Sequence, residues 1–167
     1  AGGIFSSETG IIDVPELISA LEVDIQHGEG IMSFNTSFIS AKQSNNCFKI
    51  ICDDGERFEI QAKRLVNSTG LSSDKTSTRI QQLDQKFNLP IYFAKGHYFK
   101  YTGSHPFHSL VYPLADEFSL GIHVGFDISG QLRFGPDLTW VDKIDFSFDE
   151  SLKEKFISSI QSYWPDM

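Results

Sequence analysis

Apolar and polar positions alternate most clearly from Phe118 to Leu138, FSLGIHVGFDISGQLRFGPDL. Strand side chains point to opposite sides with period two, so Leu120, Ile122, Val124 and Phe126 share one side while Gly121, His123, Gly125 and Asp127 share the other. Asp127-Ile128-Ser129-Gly130 reads as a tight hairpin loop with Gly130 at positive φ, and Gln131 to Gly135 as the return strand, whose polar side carries Arg133. Two segments show helical spacing instead. Val14, Leu17, Ile18, Leu21 and Ile25 make an apolar stripe behind Asp13-Val14-Pro15-Glu16, which has the spacing of a capping box, and Gly28 is placed to end that helix in the left-handed conformation. Asp149 or Ser147 caps a second helix, Glu150 to Tyr163, with Leu152, Phe156, Ile157 and Ile160 as its buried stripe and Trp164-Pro165 as its stop.

Between these landmarks the pattern is mostly strand-like. Ile31 to Ala41, Cys47 to Cys52 and Glu56 to Ala62 are separated by the turn formers Ser44-Asn45-Asn46 and Asp53-Asp54-Gly55, which predicts an antiparallel meander. Leu65 to Gly70, LVNSTG, is a short β-prone run ending in small residues. Ser73 or Asp74 caps a polar helix through about Phe87, with Ile80, Leu83 and Phe87 as its few apolar positions. Ile91 to Thr102 is aromatic on both faces, which predicts a strand covered on both sides, with Gly96 a bulge or point of close approach and Lys95 and His97 on one side. Ser109 to Ala115 is another short strand, broken at Pro113.

The chain has 167 residues, enough for one domain or two small pieces. A formal charge of −8 with no Lys/Arg cluster argues against nucleic acid or an anionic lipid surface as partner. No apolar run approaches bilayer-spanning length, and no basic segment precedes an apolar one at the start, so the chain reads as soluble and unprocessed. Cys47 and Cys52 fall on opposite faces of one predicted strand, about 16 Å apart along it, too far to bond. Two isolated thiols suit a reducing compartment, here read as the cytoplasm.

Local motifs exclude several chemistries. Residues 28–33, GEGIMS, resemble a dinucleotide fingerprint but have Ser33 in place of the third glycine and follow a helix rather than a strand. No P-loop or serine nucleophile elbow is present, and no cysteine or carboxylate shares a metal-ligand spacing with the histidines, so no metal site is expected. The side carrying Gly121, His123 and Gly125 has the form a flat ligand needs to approach a sheet closely. The same pattern also fits glycines that only let another element pack close, with His123 a satisfied core histidine. These residues lead to a mixed α+β globule with a candidate ligand face of His123, Arg133, Lys95 and His97.

Several stretches taken in order, SSETGIIDVPELISAL, RLVNSTGLSSD, AKGHYF, LVYPL, LGIHVGFDISGQLRFGPD and the final YWPDM, resemble the flavin-dependent oxidoreductases of the D-amino-acid oxidase superfamily, most closely the L-2-hydroxyglutarate dehydrogenase/oxidase branch. The resemblance implies a partial fold of that type: a mostly antiparallel substrate-domain sheet with helices on one side, plus a three-stranded meander and one strand, LVNSTG, of the FAD domain. It divides the chain into residues 1–30, which start the substrate domain and supply a connecting helix, 31–75, a partial FAD-binding domain, and 76–167, the substrate-binding domain. It implies FAD as cofactor, contacted by Phe38, Thr69, Gly70, Leu71 and Gly121. His123 becomes the base or hydroxyl partner, and Lys95, His97, Tyr98 and Arg133 the substrate-binding residues. The implied reaction takes a 2-hydroxy acid to a 2-oxo acid, with amino-acid, sarcosine or glycerol-3-phosphate oxidation as alternatives and a non-catalytic interaction module as the reading of another class. A complete member of the superfamily opens with a GxGxxG segment and ends with a further flavin-contacting segment, neither of which is in these 167 residues. The chain therefore reads as the interior of a longer protein, cytoplasmic or peripheral to a membrane, that holds FAD poorly by itself.

Overall fold

The computed structural model describes residues 2–114 and 121–167. The chain forms two compact units, one of Ile25–Phe93 and one of Ala1–Asp24 with Ala94–Met167. Helices and strands are mixed in several sheets, as an α+β reading requires. No helix among the described residues is long and apolar enough to cross a membrane.

Helix α1 covers Val14–His27, and Asp13 caps it by accepting the Glu16 N–H at 3.1 Å. Its other end departs from expectation. The residue in the left-handed conformation is Glu29 (φ 58°), not Gly28, because the Glu29 and Gly30 N–H groups close on the Gln26 and Ile25 carbonyls at 3.0 and 2.8 Å. Those two bonds satisfy the last helical carbonyls and offset the cost, about 1–2 kcal/mol, of a side chain in that conformation. The stripe expected to be buried is not: Val14, Leu17, Ile18, Leu21 and Ile25 are 40–58% exposed, and no α1 residue is buried.

In the unit Ile25–Phe93, strands β1 (Ser37–Ser44), β2 (Cys47–Asp53) and β3 (Arg57–Ala62) form the expected antiparallel meander. Asn45, at φ 54°, turns the chain between the paired residues Ser44 and Cys47. β1 starts later than Ile31, leaving Ile31 and Phe34 exposed. An irregularity between Phe38 and Ser40 shifts the register, which is why Phe38 and Ala41, three apart, both pack on the core of Ala41, Ile50 and Cys52. Cys47 and Cys52 are both free.

Two expectations fail in this unit. Residues 64–69 form no strand; the Asn67 side chain organises the run instead, bonding the Ser73 carbonyl and the Thr69 N–H. The polar helix stops early, as α2 (Ser73–Ser77), and Ile80 enters the sheet in β4 (Ile80–Gln81), parallel to β1 and opposite Ala41. Serine and threonine are indifferent helix formers, while Ile80 joins the apolar cluster around Ala41. Only a short 3₁₀ turn, Gln85–Phe87, follows.

The segment from Ile91 to Thr102, which runs from the end of this unit into the other, is not one strand. It gives β5 (Phe93–Lys95) and β6 (Phe99–Lys100), interrupted where Gly96 passes Pro136 so closely that a Cβ there would lie 2.7 Å from the proline Cβ. Tyr92 and Tyr98 are consequently exposed rather than covered. β7 (His123–Phe126) and β8 (Leu132–Gly135) make the expected hairpin, β6 adds to the far side of β8, and β5 pairs with β9 (Thr139–Val141). The run from Ser109 contributes a single bridge, Val111 to Val124. Ala115, Phe118 and Leu120 lie outside the described residues.

Helix α3 (Lys153–Gln161) follows a 3₁₀ turn, Glu150–Leu152, whose start Asp149 caps by accepting the Ser151 N–H at 2.9 Å. Phe156 and Ile160 of α3 join Ile122, Val124, Leu132 and Phe134 in the main core. Each such fully buried side chain stabilises the unit by about 1.5–3 kcal/mol. Val124 opposes Phe134 in register, so this is one face of the sheet, and α3 covers it.

The β7–β8 loop is held by Asp127. One carboxylate oxygen accepts the Ser129 N–H (3.0 Å), the Ser129 hydroxyl (2.6 Å) and the Gln131 N–H (2.9 Å), while Gly130 takes φ 82°. The Ser129 and Gln131 bonds, with a smaller contribution from Lys100, bring the Asp127 pKa down from 3.8 to about 2. A carboxylate depressed by folding contributes stability above its unfolded pKa that is lost as pH falls through the folded one. Amide-exchange protection at Ser129 and Gln131 is therefore expected to decline between pH 3.8 and about 2. Asp127→Asn should abolish that step, and a step surviving in the variant would assign it elsewhere.

Candidate functional site

Period two puts His123, Gly125 and Arg133 on the face opposite α3, with Gly125 opposing Arg133 and His123 opposing Gly135 across the hairpin. Tyr98, immediately before β6, lies under the Arg133 guanidinium, whose Cζ is 5.0 Å from the ring centroid. Tyr112, next to the bridging Val111, stacks on His123 with ring centroids 4.4 Å apart and an interplanar angle of 29°. The structure thus brings His123, Arg133 and Tyr98 together, and adds Tyr112, which sequence reasoning missed although LVYPL placed it one residue from the valine that bridges to Val124.

This face is less bare than the glycines suggest. Gly121 has φ 72°, and a Cβ there would come within 2.9 Å of Pro113. Arg133 runs across Gly125, its Cγ and Nε 3.7 Å from where a Cβ would stand. Gly121 therefore makes room for Pro113, the close-packing alternative, while Gly125 makes room for the arginine side chain.

Burial holds the His123 imidazole below its usual pKa, the Arg133 charge adds to this, and the 3.2 Å contact of Nδ1 with the Gly121 carbonyl works against it. Burial likewise raises the Tyr98 phenol, and Arg133 opposes that rise. Arg133 Nε is buried without a hydrogen-bond acceptor. A buried guanidinium donor lacking a partner is costly in the free protein and suits a carboxylate arriving beside it.

Lys95 and His97 are not brought to His123. Lys95 Nζ bonds Asp145 at 2.8 Å and Ser147 at 2.9 Å. His97 is buried, and both its N–H (2.8 Å) and its Nδ1 (3.0 Å) meet one oxygen of Asp137, whose other oxygen accepts from Lys155 of α3 at 3.1 Å. Burial pushes the Asp137 carboxyl up, but these bonds outweigh it and leave the pKa lowered.

The residues expected to meet the cofactor from the meander side belong to the unit Ile25–Phe93. Phe38 packs on the Ala41 cluster. In the loop after residue 66, the Asn67 amide donates to the Ser73 carbonyl (2.8 Å) and the Ser77 hydroxyl (3.1 Å), and its oxygen accepts the Thr69 N–H (3.3 Å) and lies 2.7 Å from the Thr69 hydroxyl. This fixes Gly70 at φ 55° with no heavy atom within 4 Å of where a Cβ would stand, and leaves Leu71 half exposed. Accessible backbone at a small-residue turn fits close approach of a nucleotide.

The chain is 28% identical over 169 residues to an L-2-hydroxyglutarate dehydrogenase, mitochondrial, of Arabidopsis thaliana, covering 88% of this chain and 35% of that protein. It is 26% identical over 162 residues to the L-2-hydroxyglutarate dehydrogenase of Escherichia coli K12, covering 91% of this chain and 37% of that protein. The chain thus spans little more than a third of the length of these relatives. A family model described as FAD dependent oxidoreductase matches residues 1–167. On that match over its whole length, the chain belongs to the DAO family of FAD-dependent oxidoreductases.

Proposed function

We propose that this chain supplies part of the active centre of a flavoenzyme that oxidises a 2-hydroxy acid of the 2-hydroxyglutarate type to the 2-oxo acid. The reading rests on one observation, a neutral-leaning imidazole beside a buried guanidinium nitrogen that has no acceptor, on the sheet face away from α3. Arg133 binds the substrate carboxylate next to the 2-hydroxyl, and Tyr98 holds the guanidinium plane. His123 accepts the hydroxyl proton, which leaves the Cα–H bond electrons free to depart as hydride. Bound flavin supplies the hydride acceptor. Lys95 and His97, already paired with carboxylates, support the segment around Asp137 and Asp145 rather than the substrate. The unit Ile25–Phe93 is assigned to the FAD side through Thr69, Gly70 and Leu71, and the unit with His123 to the substrate side. Two free thiols suit a reducing compartment, the cytoplasm or, following the name of the plant relative, a mitochondrion.

Anaerobic titration of the full-length, FAD-loaded protein tests this reading. L-2-hydroxyglutarate is expected to bleach the oxidised flavin absorbance, and an amino acid, sarcosine or glycerol 3-phosphate to leave it. Bleaching by one of the latter alone would reassign the substrate, and a full-length protein that takes up no flavin would leave the interaction module as the better account.

A further inference from the structure

We infer that Tyr112 is a positioning residue: its ring and the Gly121 carbonyl together hold His123 with the proton on Nδ1, leaving Nε2 as the atom that accepts a proton. The inference deepens the function proposed above and rests on it for its catalytic meaning. A carbonyl oxygen can only accept, so an Nδ1 3.2 Å from Gly121 O is a donor. A neutral imidazole has one N–H, and a proton held at Nδ1 leaves the lone pair on Nε2.

Three local constraints set that carbonyl and that ring. Val111 and Val124 exchange both backbone bonds, at 3.2 and 2.9 Å, which fixes the register of Tyr112 against His123. Pro113, the residue after Tyr112, lies over Gly121 so closely that no side chain fits there, and Gly121 is held at φ 72°. Tyr112 then stacks nearly parallel on the imidazole at 4.4 Å and limits its rotation about χ2. Residues 112 and 113 therefore act on residues 123 and 121 as one clamp. Among the described residues, the charged or titratable groups at this face are Arg133 across the hairpin, Tyr98 beneath its guanidinium, and, further along the strands, Lys100 and Asp127, which pair with each other at 3.4 Å.

The test is a two-bond ¹H–¹⁵N correlation spectrum of the full-length protein with ¹⁵N-labelled histidine, with the His123 signals assigned by their loss in His123→Gln. Wild type is expected to show the Nδ1–H tautomer at neutral pH, and Tyr112→Phe to keep it. Tyr112→Ala should show both tautomers in exchange and a shifted titration midpoint, with substrate-driven flavin reduction slowed about ten- to a hundredfold, as for a displaced reacting group. Tyr112→Phe should reduce flavin within about twofold of wild type, since the stacked ring is kept. An Nε2–H tautomer in wild type would overturn the inference without needing any variant to fold. So would a Tyr112→Ala spectrum and rate indistinguishable from wild type. Failure of the functional reading looks different: the tautomer responds to Tyr112 as described, but His123→Gln reduces flavin as fast as wild type.

Discussion

Replacing His123 by Gln in the full-length enzyme should slow anaerobic flavin reduction by substrate about 10²- to 10⁴-fold, the range for loss of a general base, while leaving the spectrum of bound FAD unchanged. Glutamine keeps the size and hydrogen-bonding reach of imidazole but has no lone pair basic enough to take a hydroxyl proton. The pH dependence carries its own signature. A base works in its neutral form, and burial with the Arg133 charge lowers the His123 pKa below 6.5. Wild-type reduction should therefore show an acid limb whose midpoint lies below pH 6.5, as the ring becomes charged. That acid limb should vanish in His123→Gln. Stopped-flow reduction across pH separates the two proteins, and equal rates would remove His123 from the chemistry.

The largest stability effect is expected at Asp137, which makes no contact with the proposed substrate. Its carboxylate is almost fully buried and receives the His97 N–H, the His97 ring and Lys155. Asp137→Ala strands two buried His97 donors at once. Leaving a buried donor without an acceptor costs about 1–3 kcal/mol for each donor. Asp137→Asn keeps an acceptor oxygen for His97 and loses the charge, so its cost should be smaller, about 1–3 kcal/mol. Equilibrium denaturation of the full-length protein, with FAD held at one concentration throughout, measures both. Equal stability of Asp137→Ala and wild type would show that the His97 groups find other partners. The carboxylate is depressed by folding, so its contribution is present above pH 3.8 and is lost as pH falls through the lower folded value.

These two residues also mark how far the chain could be read in one dimension. Asp13, Asp127 and Asp149 do what their spacing predicts, because a cap or an Asx turn is closed by backbone N–H groups two to four residues away. The meander and the β7–β8 hairpin follow from turn residues next to alternating strands, and Phe156 and Ile160 from helical spacing. The resemblance of separated stretches to a flavoenzyme family agrees with the family match over the chain. Where neighbours in sequence do not set the outcome, expectation fails. LVNSTG has β propensity, but a strand exists only beside another strand. Ile80 has helical spacing with Leu83 yet lies beside β1. The α1 stripe has the right period, and no residue of it is buried.

His123 belongs to both kinds of evidence. Its side of the sheet could be counted from residue parity, because the pleat alternates whatever the rest of the chain does. Its surroundings could not: Tyr112 is 11 residues before it and Arg133 10 after it. Lys95 and His97 show the same limit from the opposite direction. A lysine and a histidine on a glycine-interrupted strand look like anchors for an anion, until carboxylates 50 and 40 residues further along prove to be their partners. The sequence alone determined the turns at Asn45 and Gly130, the caps at Asp13 and Asp149, the two faces of the β7–β8 hairpin and the family. Only the tertiary structure decided which charges were already neutralised and which donor was left without an acceptor, because Coulomb and hydrogen-bond energies depend on distances of a few ångströms that chain separation does not encode.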